Sequence, residues 1–182
     1  IYNDPWHRSQ ITFPYVTWDN AFSDEDLKAI EEYCDAIGTE TGTTFDGSTK
    51  EEYEKHRVSN VKFHERNKET AWMFDKLNFV IQAANEQFYN FNLNGYSTFQ
   101  YTTYDNNGRY DWHLDMGLGI VPSNTDAQPR KLSLTLLLND NFEGGEFQIN
   151  NGKEENPIIV PMHKGRVVLF PSFMIHRVTP IT

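Results

Sequence analysis

Tyr110-Asp111-Trp112-His113-Leu114-Asp115-Met116 is followed about sixty residues later by Pro171-Ser172-Phe173-Met174-Ile175-His176-Arg177-Val178. The H-x-D spacing suits a strand, because residues i and i+2 point to the same side of the pleat and can reach one ion. Met116-Gly117 leads out of the triplet, so a turn is expected there. The distal histidine follows Val167-Val168-Leu169-Phe170, an apolar run that reads as a buried strand. Both segments are therefore expected to be strand-borne, as a rigid site requires. Two imidazoles and one carboxylate, from His113, Asp115 and His176, can occupy one face of an octahedral metal ion. Such a face leaves further positions open to exogenous ligands.

Working outward, many short strands are predicted. Thr98 to Tyr104 alternates, with Phe99, Tyr101 and Thr103 on one face. Leu132 to Leu138 is a near-continuous apolar run, followed by Glu146–Ile149, Ile158–Val160, Arg166–Phe170 and Met174–Val178. Clusters at Asn106-Asn107-Gly108 and Asn150-Asn151-Gly152 separate them. Gly144-Gly145 is expected to permit a tight turn and close backbone packing. Upstream, Phe13–Trp18 reads as a short strand, and Val58, Val61 and Phe63 suggest another.

Two helices precede these strands. Ser23 reads as an N-cap with Asp26 at the capping-box position; Leu27, Ile30, Cys34 and Ile37 form a stripe that Gly38 ends. A second helix is predicted over about residues 68–90, with Trp72, Leu77, Val80, Ile81, Ala84 and Phe88 on one face. Residues 39–56 lack periodicity and read as a long polar loop. The fold class is thus mainly β with α: a double-stranded β-helix, or jelly roll, with N-terminal supporting helices. Residues 1–182 are expected to form a single domain, with helical support over about 1–95 and a jelly-roll core over about 96–182.

Composition excludes some functions. The 182 residues are 38% hydrophobic and 14% aromatic, with a net charge of −10 and no basic block. Phosphate contacts need clustered Lys and Arg, so neither a nucleic-acid nor an anionic membrane partner is expected. No apolar run reaches the length of a membrane span. Cys34 is the only cysteine, sits on an apolar helix face and reads as core. One cysteine and the lack of a signal-peptide pattern at Ile1-Tyr2-Asn3-Asp4-Pro5 fit a cytoplasmic location. The missing initiator Met suggests that the natural N-terminus lies further upstream. No motif specifies an oligomeric state.

The stretch from Tyr101 to Thr182 resembles the prolyl-4-hydroxylase-like 2-oxoglutarate/Fe(II)-dependent dioxygenases, especially their small bacterial and phage members. The residues that carry the resemblance are Tyr110–Met116, Arg130-Lys131-Leu132-Ser133-Leu134-Thr135, Leu138-Asn139-Asp140, Phe142-Glu143-Gly144-Gly145-Glu146-Phe147, Gly165–Ser172 and His176–Pro180. Their order and spacing match over roughly eighty residues. The resemblance implies Fe(II) held by His113, Asp115 and His176, 2-oxoglutarate as cosubstrate, and ascorbate as an accessory reductant. It implies that Tyr104 bonds a 2-oxoglutarate carboxylate, with Tyr101 as the fallback, and that Thr135 and Phe147 line the cosubstrate pocket. Tyr110 and Arg130 match positions near the substrate mouth, and a mobile loop covers the substrate in the region of 39–56. Each of these side chains also has a plain role in packing or at a solvated strand end. Trp112, facing away from His113, is expected to pack between sheets.

The family supplies a basic residue about nine or ten positions after the distal histidine to pair with the far carboxylate of 2-oxoglutarate. This sequence stops at Thr182, so that residue and the last strand are expected beyond it. The expected function is hydroxylation of a peptidyl proline or related protein side chain, with release of succinate and CO2 and a protein or peptide as partner. The same chemistry on a free amino acid or other small molecule is the alternative, and a non-catalytic jelly-roll binding module is the second. The residue types taken alone support only an open metal site, which a zinc hydrolase would also have.

Overall fold

A computed structural model describes residues 13–41, 54–116, 130–153 and 155–182. Eleven strands and two main helices follow one another among them: β1 Val16–Trp18, α1 Asp24–Ile37, β2 Glu40–Thr41, β3 Arg57–Val58, β4 Asn60–Glu65, α2 Ala71–Ala84, β5 Thr98–Thr103, β6 Arg109–His113, β7 Leu132–Leu136, β8 Phe147–Ile149, β9 Ile158–Val160, β10 Val167–Pro171 and β11 His176–Val178. They form three antiparallel sheets, ordered β1-β10-β7, β3-β6-β11-β8-β9 and β2-β4-β5. The expected mainly β architecture with supporting helices is the one adopted. Strands from the N-terminal region join it: β1 pairs with β10, and β3 pairs with β6.

β10 positions everything else. All five of its residues are buried. Val167 and Leu169 face the helices, in a core with Leu27, Ile30 and Cys34 of α1 and Met73, Leu77, Val80 and Ala84 of α2. Val168 and Phe170 face the other way, in a core with Phe147, Ile149 and Val160 of the five-stranded sheet. The period-2 alternation of a strand thus places one apolar run in two cores at once. Burying a Val, Leu or Phe side chain stabilises by about 1.5–3 kcal/mol, so these few residues are a large part of what holds the layers together.

The helix signals act as read. Ser23 and Asp26 form a reciprocal capping box, and Gly38, at φ 82°, ends α1. Ile37 departs from the expected stripe, at 49% exposed, because α1 ends there and no further turn carries the face across the core. Cys34 is buried core, and burial pushes its thiol up to about 12. The second helix is shorter than expected. Its α-helical part stops at Ala84, and a π-turn over Asn85–Tyr89 follows, closed by left-handed Asn90. The π-turn aims Tyr89 inward, where its hydroxyl donates to the Leu169 carbonyl of β10 at 3.2 Å. Phe13–Pro14–Tyr15 is not strand, and the Val58–Phe63 segment breaks at Ser59 into two strands of different sheets. Phe63 is exposed, and its neighbour His64 is buried instead. Most of the expected 39–56 loop, residues 42–53, and residues 117–129 lie outside the described residues.

Gly144 and Gly145 behave as expected. Both have positive φ, 68° and 62°. A Cβ on Gly144 would lie 2.3 Å from the Pro180 carbonyl oxygen, across the bridge that Gly144 makes with Ile181. Gly144→Ala combines left-handed backbone strain with a clash against backbone. It should lower stability by ~2 kcal/mol or more, read as a drop in Tm by thermal denaturation.

His64 lies between Tyr33 and Phe99, with ring centroids at 5.6 and 5.2 Å, and its Nε2 has no hydrogen-bond partner. Burial, with help from Lys62, holds its pKa below the ordinary 6.5. The unfolded chain therefore takes up this proton before the folded chain does. Its contribution to stability is full above the ordinary value and is lost as pH falls below it. His64→Phe should flatten the decline in denaturation midpoint between neutral and mildly acidic pH; an unchanged decline would contradict this assignment.

Candidate metal centre

Three elements bring the predicted ligands together. His113 ends β6, His176 begins β11, and these two are direct cross-strand partners. Asp115 lies beyond the end of β6, on a bend. The strand pleat therefore does not set its direction, as the H-x-D spacing had suggested. The chain turns back instead: the Met116 N–H donates to the Ser172 carbonyl at 3.0 Å, which ties the bend to the turn before β11.

A bulge sets the aim of β6. His176 pairs with His113 and Val178 with Tyr110, so two steps on β11 match three on β6. Tyr110 and His113 thereby share the inner face, with rings stacked at 3.4 Å and 9°. Trp112 is turned to the outer face, where the Arg177 guanidinium lies 4.3 Å from its ring. It belongs to neither core, so its expected place between sheets is corrected by the bulge. A concavity of about 270 Å³ on that outer side, lined by Arg109, Asp111, Arg177 and Thr179, lies apart from the three ligands.

The protonation of the ligands follows from their partners. His113 Nδ1 is 2.7 Å from the Asp111 carbonyl, and His176 Nδ1 is 2.9 Å from the Met174 carbonyl. A carbonyl only accepts, so each Nδ1 carries a proton, and in the neutral ring each Nε2 then presents a lone pair. Those Nε2 atoms face the Asp115 carboxylate, His113 to Oδ1 at 3.8 Å and His176 to Oδ2 at 3.7 Å. Both distances are too long for hydrogen bonds. All three donor groups lie within 4.8 Å of one another. Two lone pairs and a carboxylate converge with no proton between them, and a cation satisfies that arrangement. The donor set therefore fits a divalent metal, Fe(II) included.

Burial pushes the His113 imidazole down to about 4, and its proximity to the second imidazole, His176, adds to this. His176 is 4% exposed and packs against Phe170 and Phe147, at 4.6 and 5.6 Å between ring centroids. His113 and Asp115 side chains are 16% and 29% exposed, so the centre opens to solvent on their side.

The other predicted residues fall around it in different ways. Phe147 is buried beside His176. Thr135 is exposed on β7, two residues from Ser133 and so on the same face. Tyr110 lies over His113. Arg130 donates through Nη1 to the Asp115 carbonyl at 3.4 Å, beside a ligand. Tyr104 follows β5, with its Cβ packed at Gly108. Tyr101, the fallback, donates its hydroxyl to Asp35 of α1 at 2.8 Å.

Sequence reasoning missed Arg57, Ser133 and Ser172. Arg57 is 6% exposed, donates from Nε to the Ser59 hydroxyl at 2.7 Å, and lies 4.4 Å over the Tyr110 ring. Nothing in the local pattern marks it, since its burial depends on β3 pairing with β6. Ser133 had a signal: alternation along β7 puts it on the face of Thr135.

Residues 99–182 match the model of the 2OG-Fe(II) oxygenase superfamily. A PKHD-type hydroxylase of Xylella fastidiosa strain M12 is 37% identical over 89 residues, 46% of this chain and 38% of that protein. The PKHD-type hydroxylase YbiX of Escherichia coli is 35% identical over 88 residues, 47% of this chain and 38% of that protein. The matched part thus spans well under half the length of these curated relatives. Among solved structures, a Pseudomonas putida prolyl-4-hydroxylase superposes with a TM-score of 0.68 at 19% identity, covering 93% of this chain and 87% of that one. A Trichoplax adhaerens prolyl hydroxylase, solved with a peptide fragment of the hypoxia inducible factor oxygen degradation domain, gives 0.72 at 15%, covering 94% and 79%. At these identities the structural likeness speaks for the fold.

Proposed function

We propose that this chain, whose residues 99–182 match the model of the 2OG-Fe(II) oxygenase superfamily, hydroxylates a peptidyl proline or a related protein side chain. The observation that carries the reading is the convergence of His113 Nε2, His176 Nε2 and the Asp115 carboxylate at a solvent-open mouth. Bound Fe(II), with 2-oxoglutarate and O2, supplies the oxidative decarboxylation that yields succinate, CO2 and one oxygen atom for a C–H bond.

The chain's own residues bind, orient and exclude water. His113, Asp115 and His176 hold the metal. The Asp111 and Met174 carbonyls keep both imidazoles in the tautomer that can ligate. Phe147 and Phe170 wall the His176 side with apolar surface, which keeps water from the buried ligand. Thr135 lines the cosubstrate side with Phe147, and Tyr104 bonds a cosubstrate carboxylate. Tyr110 and Arg130 border the substrate mouth. Support for a protein substrate comes from exposed apolar side chains next to the ligands, Leu114, Phe173 and Ile175. An extended peptide would cover such a rim, whereas a small molecule would leave it wet. Residues 1–182 act as one domain in this reading. Among the described residues no helix is long and apolar enough to cross a membrane. The lone cysteine supports a cytoplasmic setting.

Two measurements test this. Asp115→Ala should weaken divalent-metal binding by more than about 100-fold in calorimetric titration while far-UV circular dichroism is retained. Unsubstituted protein given Fe(II), 2-oxoglutarate and ascorbate as reductant should release succinate and add the mass of one oxygen to Pro-containing peptides, with free L-proline a poor substrate. Efficient turnover of free proline and of no peptide would favour the small-molecule alternative. Metal binding with no turnover of any substrate would favour the binding module.

A further inference from the structure

Asp115 is the one ligand that no strand holds, so something else must fix its carboxylate. Its backbone is tied through Met116 to Ser172 and through its own carbonyl to Arg130. Neither contact sets the rotation of the carboxylate. Among the described residues one hydrogen bond does: Ser133 Oγ donates to Asp115 Oδ2 at 2.7 Å. Ser133 Oγ also lies 2.9 Å from Ser172 Oγ. Ser172 is fully buried at the end of β10, and its N–H donates to the Lys131 carbonyl at 3.0 Å.

The direction of this chain of hydroxyls follows from proton counting. Each serine has one hydroxyl proton, and an ionised carboxylate only accepts. Ser133 must give its proton to Asp115, so the Ser172 proton must go to Ser133. The order Ser172 to Ser133 to Asp115 is the only one that leaves both contacts satisfied. Its start is a buried serine in the turn that directly follows β10, and its end is the most exposed of the three ligands. Oδ2 is thereby occupied, while Oδ1 faces His113 Nε2 at 3.8 Å and receives no hydrogen bond from any other described residue.

We propose that Ser133 and Ser172 are positioning residues that act through Asp115: together they set the carboxylate rotation that lets it ligate beside His113 and His176. The proposal rests on the metal-site reading above. Partners of this kind behind a metal ligand are typically worth about 10–100-fold in metal affinity.

The test uses the metal-free chain titrated with Co(II), reading the dissociation constant and the visible d–d bands, with Tm measured alongside. Ser133→Ala should weaken Co(II) binding by about 10–100-fold and change the band pattern. Ser133→Thr keeps the hydroxyl and should restore affinity to within about threefold of the unsubstituted chain. Ser172→Ala should cost less than Ser133→Ala. The double variant should bind as Ser133→Ala alone does, because Ser172 acts only through Ser133. Wild-type affinity and bands in Ser133→Ala would overturn the positioning role, as would a loss of Tm with no change in Co(II) binding. Additive losses in the double variant would overturn the ordered chain. No Co(II) binding by the unsubstituted protein would instead overturn the metal-site reading itself.

Discussion

β10 has no solvent side, and that constraint governs the rest of the molecule. Val167, Val168, Leu169 and Phe170 are each at most 1% exposed. A strand buried on both faces cannot slip by one residue without exchanging its two cores. Its partners are therefore fixed in register: Val16 against Leu169 on one edge and Ser133 against Phe170 on the other. The helices press on one face, and the five-stranded sheet closes on the other. The metal centre lies where the second core reaches the surface, with Phe170 touching His176. The packing that stabilises the layers also immobilises the distal ligand, which places the site on rigid structure.

Much of this was legible in the sequence where a signal is local. The capping box at Ser23 and Asp26, the stop at Gly38, the strand at Ile158–Val160 and the run expected over Leu132–Leu138, which is strand as far as Leu136, each depend on a few neighbouring residues. The His113, Asp115 and His176 set was legible because its chemistry is specific. What escaped depends on contacts between distant segments. Ile37 continues the stripe of α1 in sequence, yet no helix remains to carry it inward. Phe63 is exposed and His64 buried because β4 is set by its neighbours β2 and β5, and an aromatic slot between Tyr33 and Phe99 receives an imidazole.

Asp115 was found for a reason that does not hold. The i, i+2 argument needs a continuous strand, and β6 is bulged before His113 and finished after it. Asp115 reaches the centre because Met116 and Ser133 hold it there, one by its backbone and one by its carboxylate. Two ligands supplied by paired strands and one by a tethered bend divide the work. The histidines take their directions from carbonyls within two residues, whereas the aspartate takes its direction from β7. The Arg57 guanidinium lies over the Tyr110 ring, which itself stacks on His113, and Arg57 is brought in by a two-residue strand that no periodicity could reveal.

The bulge in β6 has a consequence for how this sequence can change. Asp111 and Trp112 occupy the extra position, and their side chains serve the outer face, so their identities are open to substitution. Their number is not. Removing one residue between Tyr110 and His113 would restore a regular ladder and turn one of the two rings out of the centre. Insertions and deletions should therefore be purged from this four-residue stretch more strictly than replacements. Related sequences would keep the interval while varying the letters within it. The count of residues between a tyrosine and a histidine is then an inherited trait of its own.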